Sequence, residues 1–224
     1  MVVAARRPEE APMNPRQLAA HGPVIPVIVI KRLEDAVPLA EALVAGGVRV
    51  LEVTMRTSIA LRAIEAIADA VPDAIVGAGT VRSGADAEAA SRAGAVFAVS
   101  PGYTLEVGAA CARVGLPLLP GVATASEVMT ANADGFDFLK FFPATAANGI
   151  SMLKALGGPF PDIKFCPTGG ITVETAPSFL SLPNVSVCGG SWLTPDDAIA
   201  TRSWNRITAL ARQATELRTF ERQG

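Results

Sequence analysis

The stretch Phe136-Asp137-Phe138-Leu139-Lys140-Phe141-Phe142-Pro143 sets one lysine inside a short, almost wholly apolar run bounded by Gly135 and Pro143. The run is too short for an independent helix and rich in aromatics, so it reads as a strand covered on both faces, as in parallel sheets packed between helices. Lysine is almost never fully buried without a reason. A desolvated ammonium either finds a carboxylate or gives up its proton, and a free amine attacks carbonyls. Lys140 is therefore a candidate Schiff-base nucleophile. The alternative is a strand-end lysine reaching solvent along its methylenes.

Working outward in both directions, the same unit recurs: an apolar strand, a turn with Gly or Pro, then an Ala/Leu/Glu-rich amphipathic helix. Strands are expected at 24–30, 48–55, 74–80, 95–100, 117–122, 136–142, 163–167 and 185–188, with starts roughly 20 to 27 residues apart. Helices fall between them, for example at 33–45 and 58–70, and a short helix at 15–20 precedes the first strand. Successive strands joined by helices pair in parallel through right-handed crossovers, and eight such units close into a (β/α)8 TIM barrel with a short N-terminal helix. The rival is a doubly wound open sheet, but no GxGxxG follows the first strand. Gly77-Ala78-Gly79-Thr80 lies mid-chain and lacks the third glycine. Residues 1–12 are expected to be a disordered tail and 13–224 a single barrel domain.

The polar residues decide between the two folds. Glu52, Arg56, Thr80, Ser100, Lys140, Thr168 and Ser191 fall in or just after the C-terminal halves of the strands, which converge on one mouth in a barrel. In Leu51-Glu52-Val53-Thr54-Met55-Arg56 the period of two sets Glu52, Thr54 and Arg56 on one face. The apolar face meets the helices, so Glu52 and Arg56 point inward. Lys140 shares its face with Phe138 and Phe142. A carboxylate and a lysine in one dry pocket are either a structural ion pair or a base and a nucleophile. The guanidinium of Arg56 favours the second, because its planar fork binds a carboxylate in two hydrogen bonds. An arginine for a carboxylate, a lysine for the adjacent ketone and a glutamate for proton transfer describe 2-keto acid chemistry. Thr168-Gly169-Gly170 and Gly189-Gly190-Ser191 end the last two strands, where barrels commonly bind phosphate through backbone N–H groups.

Composition excludes other classes. The 224 residues are 50% hydrophobic with a net charge of −2 and no Lys/Arg run, which argues against a nucleic-acid surface. Apolar segments break well short of the about 20 residues a membrane span needs. The N-terminus has no signal-peptide core, so a cytoplasmic location is expected. A single histidine, His21, does not supply the two or more His ligands that zinc-dependent barrels generally use, so no metal is expected. Cys111, Cys166 and Cys188 show no CxxC spacing, and the latter two read as small apolar side chains inside strands.

Several of these residues also carry a family resemblance. Val50-Leu51-Glu52-Val53-Thr54-Met55-Arg56-Thr57, Gly77-Ala78-Gly79-Thr80, Ser100-Pro101-Gly102, Leu119-Pro120-Gly121, Lys140-Phe141-Phe142-Pro143-Ala144, Phe165-Cys166-Pro167-Thr168-Gly169-Gly170 and Gly189-Gly190-Ser191-Trp192 resemble, in order and in register from about Pro23 to Leu210, the bacterial 2-keto-3-deoxy-6-phosphogluconate (KDPG) aldolases. The resemblance implies a cytoplasmic, metal-free, typically homotrimeric class I aldolase. It needs no cofactor beyond a covalent lysine Schiff base, and it cleaves KDPG to pyruvate and glyceraldehyde 3-phosphate. It further implies Lys140 as the Schiff-base lysine and Glu52 as general acid/base. Arg56 and Thr80 would hold the pyruvate carboxylate, and Thr168 would contact the substrate hydroxyls and influence stereochemistry. Gly169, Gly170, Gly190 and Ser191 would line the phosphate site, with Pro101 and Phe142 as pocket wall. Alternatives are the cleavage of 4-hydroxy-2-ketoglutarate (KHG) to pyruvate and glyoxylate, or a phosphosugar-binding barrel or isomerase with Lys140 only ion-paired to Glu52. The chain departs from the family's pattern at Thr145-Ala146-Ala147-Asn148-Gly149, where asparagine tolerates the left-handed backbone region almost as glycine does, so the turn is expected to survive.

Overall fold

A computed structural model describes residues 15–217; the expected tail, residues 1–12, lies outside the described residues. Strands and helices alternate. The strands are β1 (Val24–Ile28), β2 (Val50–Thr54), β3 (Ile75–Gly79), β4 (Ala98–Val99), β5 (Leu118–Leu119), β6 (Gly121–Val122), β7 (Phe138–Phe141), β8 (Lys164–Pro167) and β9 (Cys188–Gly190). The helices are α1 (Ala36–Ala45), α2 (Ala60–Ala70), α3 (Gly84–Arg92), α4 (Leu105–Arg113), α5 (Ala125–Ala133), α6 (Gly149–Gly157), α7 (Ala176–Leu180), α8 (Asp196–Ala200) and α9 (Trp204–Thr215). Every strand pairing is parallel, in the orders β5-β4-β3-β2-β1-β9 and β6-β7-β8. Parallel bridges Phe165↔Val185 and Thr168↔Gly189 join the two arcs on one side, and Pro120, between β5 and β6, joins them on the other. The sheet closes into the (β/α)8 barrel.

Two strands differ from expectation. The run at 117–122 is broken because Pro120 has no N–H to give to a ladder. Ser100 bridges the gap: its N–H donates to Leu119 O at 3.2 Å and its Oγ accepts from Gly121 N at 3.3 Å, while Pro120 O still accepts from Lys140 N at 2.8 Å. The last strand starts at Cys188 and runs to Gly190, later than the 185–188 span. Its partner β1 begins pairing only at Val24↔Cys188.

Alternation sorts the side chains as the sequence suggests. Leu51 and Val53 face outward into the layer shared with the helices, whereas Val50 faces a separate interior cluster with Ile25, Phe97, Val99, Leu119, Phe138, Cys166 and Val187. Each large apolar side chain fully buried there contributes on the order of 1.5–3 kcal/mol. β3 is glycine-rich because its inward positions are already filled: a Cβ at Gly77 would run into the Phe97 ring. The short N-terminal helix is a 3-10 helix, Pro15–His21, whose Leu18 is buried against the same interior cluster beside the starts of β1 and β2. Arg16 pins it there, with an ion pair to Asp137 at 2.9 Å and a hydrogen bond to Asp162 O at 2.7 Å, just before β7 and β8.

Candidate active site

β2 and β7 each deliver one ionisable side chain to the upper interior. Ladder pairs Val27↔Glu52↔Gly77 and Gly121↔Lys140↔Cys166 set their heights. Nζ of Lys140 donates to Oε1 of Glu52 at 3.1 Å, and the two side chains are only 6% and 4% exposed. The Phe142 ring centroid lies 5.6 Å from Nζ. Taking two charges out of water costs several kcal/mol per ion, and their attraction often does no more than offset it. A pair so placed is a poor stability device, and it lies beside a cavity. The strand-end alternative for Lys140, with its amine in solvent, does not hold.

Arg56 follows β2 and is exposed, with Nε donating to Thr80 Oγ1 at 3.1 Å. Thr80 reaches it from the end of β3 with φ at +62°. A β-branched residue in the left-handed region is strained by about 1–3 kcal/mol. No sequence signal marks that conformation.

A cavity of about 440 Å³ opens at this mouth, with Arg56, Lys140, Phe142 and Thr168 on its wall together with the predicted turns Gly169-Gly170 and Gly190-Ser191. Gly169 and Gly170 have φ of +104° and +75°, which a side chain would oppose. Glycine is also a packing requirement: a Cβ at Gly189 would occupy the place of Thr168 Oγ1. The 145–149 loop is tied to this turn by Thr145 N to Gly169 O (3.0 Å) and Ala144 N to Thr168 O (2.8 Å). Asn148 sits at φ 50°, ψ 50°, so the turn survives the departure in sequence, as expected. Pro101 does not line the cavity; its backbone packs on Gly121, the ladder partner of Lys140. Wall residues that the sequence reading missed are Val27, Val29, Ile171, Thr194, Pro195 and Asp196. The valines alternate inward along the first strand and were open to detection; Asp196 follows no strand and carries no motif.

A second cavity of similar size, about 460 Å³, lies between α4 and the start of β7 against Cys111, Leu116 and Phe136. Among the described residues it gathers no acid–base pair, and the one carboxylate lining it, Asp137, is held by Arg16. The cavity at the barrel mouth, by contrast, has Lys140 of the Lys140–Glu52 pair on its wall. Among the described residues, no three His, Cys, Asp or Glu side chains are grouped to hold a metal ion, and no helix is long and apolar enough to cross a membrane.

Known proteins resemble this chain in sequence and in fold. The family model for KDPG and KHG aldolase matches residues 16–210. The chain is 52% identical to the 2-dehydro-3-deoxy-phosphogluconate aldolase of Pseudoalteromonas atlantica, over 90% of this chain and 94% of that protein. It is also 52% identical to the KHG/KDPG aldolase of Escherichia coli K12, over 87% and 92%. Among solved structures, the KDPG aldolase of Legionella pneumophila, with pyruvate captured as a covalent carbinolamine intermediate, superposes with a TM-score of 0.89 at 50% identity, covering 91% of this chain and 99% of that one. The Zymomonas mobilis ZM4 aldolase, solved with 3-phosphoglycerate, gives a TM-score of 0.85 at 44% identity over 91% and 95%. A match along nearly the whole chain, with a buried Lys-Glu pair at the mouth of the same barrel, leaves one conclusion: the chain belongs to the KDPG and KHG aldolase family.

Proposed function

We propose that this protein is a class I aldolase that reversibly cleaves 2-keto-3-deoxy-6-phosphogluconate to pyruvate and glyceraldehyde 3-phosphate through a Schiff base on Lys140. The observation that carries the assignment of residues is the buried contact of 3.1 Å between Lys140 Nζ and Glu52 Oε1, beside a cavity rimmed by an arginine and two glycine turns.

The proton of the Lys140 ammonium passes to Glu52, which leaves a free amine. That amine attacks the C2 ketone to form a carbinolamine, and Glu52 returns the proton to the departing hydroxyl, so that water leaves and an iminium forms. Glu52, again carboxylate, takes the C4 hydroxyl proton while the C3–C4 bond breaks. The bond's electron pair flows into the iminium, yielding an enamine and the free aldehyde. Protonation at C3 and hydrolysis then release pyruvate. The iminium is the electron sink, so the reaction calls on no cofactor. Arg56, with Thr80 at its Nε, takes the substrate carboxylate; Thr168 faces the hydroxyls; Gly169, Gly170, Gly190 and Ser191 receive the phosphate. The alternative substrate is 4-hydroxy-2-ketoglutarate, giving glyoxylate, and the double name of the family model and of the Escherichia coli relative supports it. The assembly we infer is a homotrimer and the compartment the cytoplasm, both as the family resemblance implies; Leu105 and Met129, 64% and 62% exposed, are apolar side chains that a contact between subunits could cover.

Incubation with pyruvate and borohydride tests the chemistry: peptide mass spectrometry should find the reduced adduct on Lys140, and Lys140→Ala should lose both adduct and turnover. An adduct on another lysine, or turnover surviving in that variant, overturns the assignment.

A further inference from the structure

We propose that Lys31, held at the mouth by Asp196, is a specificity residue that receives the phosphate end of the substrate and sets the preference for phosphorylated over unphosphorylated 2-keto acids. The inference rests on the aldolase reading above and adds to it a residue outside the glycine turns.

Asp196 lines the same cavity as Gly169, Gly170, Gly190 and Ser191. A carboxylate on the wall of a phosphate pocket repels the ligand unless a cation accompanies it. Lys31 is that cation: its Nζ lies 2.9 Å from Asp196 Oδ2. It stands just past β1, two residues after Val29, which lines the cavity. Among the described residues, the two cations that line the cavity are engaged elsewhere, Lys140 with Glu52 and Arg56 with Thr80.

The pair is not needed to hold the fold. Its side chains are 62% and 75% exposed, and ion pairs that open to water add little stability. The same junction is already clamped by Asp35, which is 2% exposed and accepts from Arg32 Nε at 2.6 Å and Arg202 Nε at 3.0 Å. Lysine on a flexible stem, loosely held, can exchange the carboxylate for an incoming phosphate, with Asp196 as its resting partner. Removing the lysine leaves Asp196 to oppose the phosphate; removing the aspartate frees the lysine.

Steady-state kinetics on the phosphorylated substrate and its dephosphorylated counterpart decide the matter. In Lys31→Met the ratio of the two kcat/KM values should fall about tenfold through KM, and in Asp196→Asn the KM for the phosphorylated substrate should drop about threefold. Calorimetric binding of glycerol 3-phosphate, which needs no turnover, should weaken about tenfold in Lys31→Met. A loss shared equally by both substrates, or a lowered melting temperature with no change in the ratio or in glycerol 3-phosphate affinity, overturns the proposal. The borohydride adduct on Lys140 separates the two ideas. If it forms while the ratio does not move, only the role of Lys31 fails; if it does not form, the aldolase assignment fails and the calorimetry still judges Lys31.

Discussion

The carboxylate of Glu52 occupies the space that any side chain at Gly79 would need. The glycine of β3 is therefore part of the acid–base apparatus, although it carries no functional group.

Gly79→Ala should displace that carboxylate from Lys140 and lower kcat by about 10² or more, since a positioned general acid/base contributes 10²–10⁴-fold. Gly77→Ala, two residues earlier, meets the Phe97 ring. It should instead cost about 1–3 kcal/mol of stability by overpacking. Kinetics and urea melts on the two variants should separate in this way; equal kinetic losses would show that Gly79 acts only through the fold.

Arg56→Lys keeps the charge but loses the planar fork and the bond to Thr80. A charge-assisted hydrogen bond is worth about 1.5–3 kcal/mol, so KM for pyruvate in the condensation direction should rise by roughly 10- to 100-fold. Thr80→Val, which removes only the hydroxyl, should raise it less. Initial-rate measurements over a range of pyruvate concentrations check both.

Asp35 is almost fully buried and joins Arg32 to Arg202, which is 167 residues away. Asp35→Ala should cost about 2 kcal/mol, the usual toll for losing a charged hydrogen-bond partner, and lower the melting temperature by about 4–8 °C. Calorimetry on a variant with native circular dichroism reads it. No change would mean that the half-exposed arginines are fully repaid by water.

Alkaline pH should destabilise the fold through its thiols. Burial pushes Cys111 up to about 11 and Cys188 well above the ordinary value of 9.0. Cys166 is pushed up to about 12 by burial, although the positive charge of Lys140 and the Thr168 hydroxyl pull the other way. In the unfolded chain all three ionise near 9, so above that pH the folded state holds more protons than the unfolded one. Stability then falls as pH rises, by up to about 1.4 kcal/mol per unit for each thiol until its folded pKa is reached. Urea midpoints should be flat with respect to these groups below pH 8 and decline from 9 to 11, less steeply in Cys166→Ala. Thiol reagents at pH 8 should label the cysteines only once urea is added.

Much of this arrangement was legible because it is periodic. The alternation through Leu51–Arg56 and the lone lysine among phenylalanines declare which way each side chain points, and strand ends in a barrel converge. Strand boundaries were less legible, since Pro120 breaks a ladder whose repair comes from Ser100, and β9 starts only where β1 offers a partner. The left-handed Thr80 bonds a residue 24 positions away, and the contact of Lys31 with Asp196 spans 165 positions. Neither follows from local pattern, because tertiary closure creates both.

Leu18 stoppers the barrel at the end opposite the reactive amine, so the tube is blind. On the proposed chemistry, a molecule fastened by its ketone at Lys140 trails its other end toward the mouth. Once it is severed, the aldehyde fragment has the clear way out while its partner is still tethered. Departure from such a cul-de-sac runs last in, first out, an order imposed by the shape of the room before any affinity is considered.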